Sequence, residues 1–77
     1  MNSNEDKVSI VLAWVDEGQL WNSKRVAKAA MWLNEGTSED VENAKNYAKK
    51  DGRMVFVFPA SETDPLNKAR ALALAAK

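Results

Sequence analysis

Two segments of this chain alternate in the manner of β-strands but carry apolar residues on both faces. Residues 8–15 read VSIVLAWV, and residues 53–58 read RMVFVF before Pro59 ends the run. β-Branched and aromatic residues dominate both segments, as is typical of strands. An isolated pair of such strands is only marginally stable and leaves its edges open for pairing. The sequence therefore predicts either a short strand at residues 20–21 that covers an edge or a homodimer with a continued sheet.

The remaining segments have the features of helices. Residues 23–35 are rich in alanine and lysine, and Gly36 stands where a C-terminal cap belongs. Residues 37–50 begin with acidic side chains and end with lysines, an arrangement that suits the helix dipole. A third helix is predicted from Pro65, because proline favours the first helical position.

Helical periodicity gives each predicted helix an inner apolar stripe. The stripes are Val26, Ala29, Ala30 and Leu33 in the first, Val41, Ala44 and Ala48 with Tyr47 at the edge in the second, and Leu66, Ala69, Leu72, Ala73 and Ala76 in the third. Met31, Trp32 and Leu74 lie off these stripes. The predicted fold is a small single α+β domain of order β–(short β)–α–α–β–α, with a two- or three-stranded sheet packed against three helices. Residues 1–7 are expected to be a flexible terminus, and residues 8–77 the compact domain.

The composition argues against catalysis. The 77 residues include no cysteine and no histidine, which excludes a disulfide, a thiolate nucleophile and an imidazole base and leaves no usual zinc ligands. Phosphate-binding and serine-nucleophile motifs are absent as well. The carboxylates cluster in a turn and at helix starts, where acidic residues have a structural reason. We therefore expect no enzyme activity, no catalytic residues, no cofactor and no bound metal.

The sequence also lacks the features of a membrane protein. None of its apolar runs, such as residues 10–15, exceeds six residues. A transmembrane helix needs about 20 residues, and a signal peptide needs a longer apolar core than this. We therefore expect no membrane partner and a cytoplasmic location.

Nucleic-acid binding is the alternative function. Basic side chains interleaved with aromatic ones are typical of single-strand binders, since cations contact phosphates and rings stack on bases. The basic residues that would make such contacts are Lys24, Arg25, Lys28, Lys45, Lys49, Lys50 and Arg53. However, 11 Lys and Arg are balanced by 11 Asp and Glu, so the chain has no net charge and lacks a general basic footprint.

The tryptophan content favours a protein partner instead. Three tryptophans are a large number for so small a core, and Met31 and Trp32 lie outside the stripe of the first predicted helix. Exposed tryptophan, methionine and arginine side chains are typical anchors of protein interfaces. The predicted partner-binding residues are Trp21, Arg25, Lys28, Met31 and Trp32. The sequence thus predicts a non-enzymatic interaction protein that binds and blocks or modulates another macromolecule, such as an inhibitor, an adaptor or a bacteriophage accessory protein.

Overall fold

A three-stranded antiparallel sheet lies between two helices. The computed structural model describes residues 7–17 and 25–76. Its strands are β1 (Val8–Asp16), β2 (Val26–Gly36) and β3 (Met54–Pro59), and its helices are α1 (Ser38–Asp51) and α2 (Pro65–Ala76). The described part of the chain therefore confirms a small α+β fold, in the order β–β–α–β–α.

The sheet is arranged around β1. The strand order is β2-β1-β3, and β1 pairs antiparallel with both neighbours. β2 and β3 consequently run parallel to each other, so the chain must cross a face of the sheet between them. α1 makes this crossing, because it follows β2 and precedes β3.

α2 packs against one face of the sheet. Ala69 and Ala73 of α2 are fully buried in a cluster with Val11 and Ala13 of β1. Partly buried side chains surround this cluster: Val15, Ala29, Met54, Phe56, Phe58 and Leu66. Because alanine is small, α2 can lie close to the strands, and it contacts β1 and β2 far more than β3.

α1 covers the opposite face. The pleat of β1 points Ile10 and Leu12 away from α2, and both side chains are buried. The buried residues of α1 are Ala44 and Ala48. The buried apolar side chains on this side are therefore again branched residues of β1 and alanines of a helix.

Local interactions fix the ends of α1. The backbone N–H of Thr37 donates a hydrogen bond to the Asp40 carboxylate at 2.8 Å, which caps the first turn. Gly52 ends the helix in the left-handed conformation, with φ of 67°. The helix predicted over residues 37–50 is therefore confirmed as α1.

The predictions for β1, β3 and α2 are also confirmed. The bounds of the two strands differ by one residue from the predicted 8–15 and 53–58, and α2 begins at Pro65 as expected. Leu74 is exposed, in agreement with its place off the inner stripe.

Two stripe assignments in α2 are wrong. Leu72 is 47% exposed, and Ala76 is exposed as well. The buried residues of this helix are Ala69 and Ala73, one turn apart, so the contact with the sheet is narrow. Leu72 lies at the flank of that contact, and Ala76 lies in the last turn.

The helix predicted over residues 23–35 is wrong. Residues 26–36 form β2, so the described chain has two helices rather than three. Pairing with β1 satisfies the backbone groups on one side of this segment, and it outweighs helix preferences that are worth less than about 1 kcal/mol per residue. Gly36 is the last residue of β2 rather than a helix cap. The short strand predicted at residues 20–21 lies outside the described residues, as do residues 1–6.

Gly36 has no room for a side chain. A Cβ atom there would lie 2.8 Å from Cδ1 of Ile10 and 3.2 Å from Cβ of Asp40, and Ile10 is fully buried. We predict that Gly36→Ala lowers the free energy of unfolding by about 1–3 kcal/mol, the usual cost of overpacking. Urea unfolding followed by circular dichroism measures this change.

Gly52→Asn is the matched control. A Cβ atom at Gly52 would meet nothing within 4 Å, and asparagine tolerates the left-handed conformation better than other side chains. Because some strain remains at this positive φ, the variant should lower the free energy of unfolding by about 1 kcal/mol or less, which is below the loss expected for Gly36→Ala. A Gly36→Ala protein more stable than the wild type would contradict the close approach of β1, β2 and α1.

Candidate functional site

The candidate site lies along β2, which forms one edge of the sheet. Among the described strands, β2 pairs with β1 alone. One side of β2 and the adjacent part of α1 form what we term the β2 surface: Val26, Lys28, Ala30, Trp32, Leu33 and Tyr47. Val26, Leu33 and Tyr47 are between 38% and 45% exposed. Large apolar side chains therefore face solvent along this edge.

A β-bulge brings two apolar residues of β2 to the same side. The register steps from Val11 opposite Met31 to Ile10 opposite Leu33, which leaves Trp32 as an extra residue between them. In an unbroken strand Trp32 and Leu33 would point to opposite faces. The bulge instead turns Leu33 towards the side that carries Trp32.

A second bulge closes the end of β2. One extra residue precedes Gly36, which lies opposite Val8. Glu35 has φ of 62°, in the left-handed region that residues other than glycine seldom adopt. Between the two bulges, the buried Ser9 hydroxyl donates a hydrogen bond to the side-chain oxygen of Asn34 at 2.9 Å. This bond fixes the register of the last residues of β2.

Trp32 packs on Tyr47 of α1. The two ring centroids are 5.0 Å apart and the ring planes meet at 38°. Trp32 is half-buried, so the expectation that it stands exposed on the outside of a helix is wrong. The reason is that Trp32 belongs to a strand beneath α1, where Tyr47 covers part of its ring.

Two cations lie near one end of the β2 surface. Lys28 is opposite Trp14 in the register and forms an ion pair with Asp16 at 2.9 Å, in which both side chains are about half exposed. The Arg53 guanidinium stacks over the Trp14 ring, with 4.0 Å from its Cζ atom to the ring centroid. The covered face of Trp14 cannot also stack on a nucleobase.

The structure brings some of the predicted partner-binding residues together. Lys28 and Trp32 belong to the β2 surface, and Arg25 is exposed directly before β2. Met31 is 40% exposed, but its position in the register turns it to the face that α2 covers. Trp21 lies outside the described residues.

The basic residues of the nucleic-acid alternative do not form one row. Lys45, Lys49 and Lys50 are exposed on α1, where the geometry of a helix places Lys45 and Lys50 about 140° apart. Arg53 is engaged with Trp14, and Lys24 lies outside the described residues. The other two basic residues are Arg25, directly before β2, and Lys28, within β2.

Four residues of the β2 surface were not predicted as binding residues. Val26, Ala30 and Leu33 were assigned to the buried stripe of a helix, whereas in an edge strand they are exposed. Tyr47 was expected at the edge of its helix stripe, and it is 41% exposed. Its contact with Trp32 carries no signal in the sequence, because the two residues belong to different elements.

Within residues 7–17 and 25–76, no group of three or more acidic side chains is arranged to hold a metal ion. The Lys68 amine donates a hydrogen bond to the Glu62 carboxylate at 2.9 Å, and this bond holds the pKa of Glu62 below its ordinary value, as does a bond from the backbone N–H of Asp64. These contacts order the turn before α2.

No helix within residues 7–17 and 25–76 is long and apolar enough to cross a membrane.

Comparisons with known proteins do not place the chain in a family. No known protein family matches the sequence, and no significant match is found among curated proteins or solved structures. Its function has to be inferred from its own surface.

We predict a measurable coupling between Trp32 and Tyr47. In a double-mutant cycle of Trp32→Ala and Tyr47→Ala, the losses of stability should deviate from additivity by about 0.5–1.5 kcal/mol, the usual range for aromatic pairs. Urea unfolding of the four proteins gives this coupling.

A control cycle pairs Tyr47→Ala with Leu74→Ala. Leu74 is exposed on α2, which packs on the other face of the sheet, so these two losses should add within about 0.5 kcal/mol. Additive losses for Trp32 and Tyr47 would show that the two rings do not interact in solution.

Proposed function

We propose that this protein is a non-enzymatic interaction protein, which binds another protein through the β2 surface and thereby blocks or modulates it. The observation that supports the proposal is the exposure of Val26, Leu33 and Tyr47 around the half-buried ring of Trp32. Covering apolar surface of this kind is favourable by roughly 25 cal/mol per Å². A partner that covers the β2 surface removes several large apolar side chains from water at once.

The arrangement of the β2 surface resembles the centre and rim of a protein interface. Trp32 and Tyr47 form an aromatic centre, whereas Lys28 and the preceding Arg25 provide charge at one end. The contact between the two rings already restricts the Trp32 side chain. Binding therefore requires little further ordering of this anchor, which favours affinity.

Nucleic-acid binding is less well supported. Single-strand binders need free aromatic faces beside unpaired cations. Here Arg53 covers one face of Trp14, and Trp32 packs on Tyr47. Lys28 is already paired with the Asp16 carboxylate. The chain also has no net charge. A protein partner fits these features better.

We predict that Trp32→Ala weakens binding to the partner by about 2 kcal/mol or more, as the loss of an interface anchor does. The same change should cost less stability than the roughly 3–5 kcal/mol of a fully buried aromatic residue, because Trp32 is only half-buried. The partner is first captured by the wild-type protein from nuclease-treated lysate of the source cells. Isothermal titration calorimetry then gives the binding free energy, and urea unfolding gives the stability.

Leu74→Ala is the matched control for binding. It removes an exposed apolar side chain from α2, which packs on the other face of the sheet, and should leave the affinity unchanged. Arg25→Ala and Lys28→Ala should weaken binding less than Trp32→Ala and act chiefly on the association rate. Equal losses for Trp32→Ala and Leu74→Ala would contradict a binding site at the β2 surface. Capture that disappears with nuclease and falls steeply with salt would instead support nucleic acid as the ligand.

A further inference from the structure

β3 consists only of apolar residues, yet none of them is buried. All six, Met54, Val55, Phe56, Val57, Phe58 and Pro59, are at least partly exposed, and Val57 is 43% exposed. In contrast, five consecutive residues of β1 are buried. An uncharged strand rich in valine and phenylalanine is typical of positions covered on both faces. The composition of β3 is therefore that of an inner strand.

The exposure of β3 follows from its place in the fold. β3 forms the sheet edge opposite β2, and no other described strand pairs with its outer side. α2 lies mainly across β1 and β2, so it covers β3 only in part. The core is also small: among the described residues, the buried apolar side chains larger than alanine are Ile10, Val11 and Leu12. A domain with so little buried apolar surface gains stability from association.

We propose that two copies of this chain pair through their β3 strands. The strands run antiparallel about a two-fold axis at Phe56. Their pairing joins the two sheets into one sheet of six strands, in the order β2-β1-β3-β3-β1-β2. The outer backbone groups of β3 then pair with those of the second copy rather than with water.

The sequence of β3 is self-complementary about Phe56. With the axis there, Val55 lies opposite Val57 of the second copy, and Met54 lies opposite Phe58 of the second copy. The two Phe56 side chains face each other across the axis. Because an axis perpendicular to the sheet keeps each residue on its own face, apolar side chains meet apolar side chains on both faces. No charged residue occurs from Met54 to Phe58, so the pairing brings no like charges together.

β2 is less suited to such pairing. Its two bulges interrupt the row of backbone groups, and Lys28 adds a charge; natural edge strands use both devices to avoid association. β3, in contrast, pairs with β1 in an unbroken register from Met54 to Pro59. The outer row of backbone groups on β3 is therefore regular, and Pro59 at its end is the residue without an N–H.

Dimerisation through β3 leaves a β2 surface at each outer edge of the joined sheet. The dimer does not depend on the proposed function, but it would make the protein bivalent. A bivalent protein binds an oligomeric or repetitive partner more tightly than a single site does, because the second contact is intramolecular. Trp32→Ala should remain dimeric, whereas a dimer-breaking change in β3 should keep the affinity of a single site. The two proposals can therefore fail separately.

Sedimentation equilibrium of Val57→Lys tests the pairing. The wild type should be a dimer at micromolar concentration. The variant should dissociate at least about 100-fold more readily, because it places two unpaired charges in an apolar interface. Val26→Lys is the matched control, since Val26 is 45% exposed on β2; this variant should remain dimeric. A monomeric wild type would overturn the proposal, and so would a Val57→Lys protein that dimerises as the wild type does.

Disulfide cross-linking tests the register and does not require the lysine variant to fold. The chain has no cysteine, so Val55→Cys and Val57→Cys each carry one thiol. The two variants are mixed in equal amounts, allowed to exchange subunits and mildly oxidised. The mixture should form a disulfide-linked dimer, because the cysteine at position 55 of one copy lies directly opposite the cysteine at position 57 of the other. Each variant alone should not, because its cysteine faces a valine. The register at Phe56 would be overturned if the mixture formed no cross-link, or if one variant alone cross-linked as fully as the mixture.

Discussion

Pairing between β1 and β2 is the interaction on which the rest of the structure depends. β1 is buried along most of its length, so its backbone groups need partners on both sides. β2 provides them along β1 from Val8 to Asp16, whereas the pairing with β3 ends at Ala13. The same pairing positions both helices. α1 starts directly after β2, and α2 packs across β1 and β2 together.

Alanine has a large share in the packing of both layers. Ala69 and Ala73 contact one face of the sheet, and Ala44 and Ala48 are the buried residues of the helix on the other. Small side chains permit a close approach of helix and strand but bury little apolar surface each. Many of the larger apolar side chains lie at the two edges of the sheet instead, on the β2 surface and on β3. Both edges are consequently suited to association, one with a different protein and one with a second copy.

The sequence predicts β1, β3, α1 and α2 because each has a local signal: β-branched alternation in the strands, acidic residues at the start and lysines at the end of α1, and Pro65 at the start of α2. β2 has no such signal, since alanine and lysine favour helices and its strand conformation comes from pairing with β1. The sequence contained one sign that the predicted helix was wrong: a helix over residues 23–35 left Met31 and Trp32 off its apolar stripe. Lys28 and Trp32 were identified as binding residues, but their neighbours from the same strand were placed in a helical core.

The conformation of residues 26–36 decides both the fold and the β2 surface. Nuclear Overhauser effects in isotope-labelled protein measure it directly, because opposed residues of antiparallel strands lie close together. We expect backbone contacts between Ala13 and Ala29 and between Val15 and Ala27, as well as contacts between the rings of Trp32 and Tyr47. Contacts from each residue of this segment to the third and fourth residues after it, without contacts to β1, would show a helix. That result would contradict the strand pairing and the surface built on it.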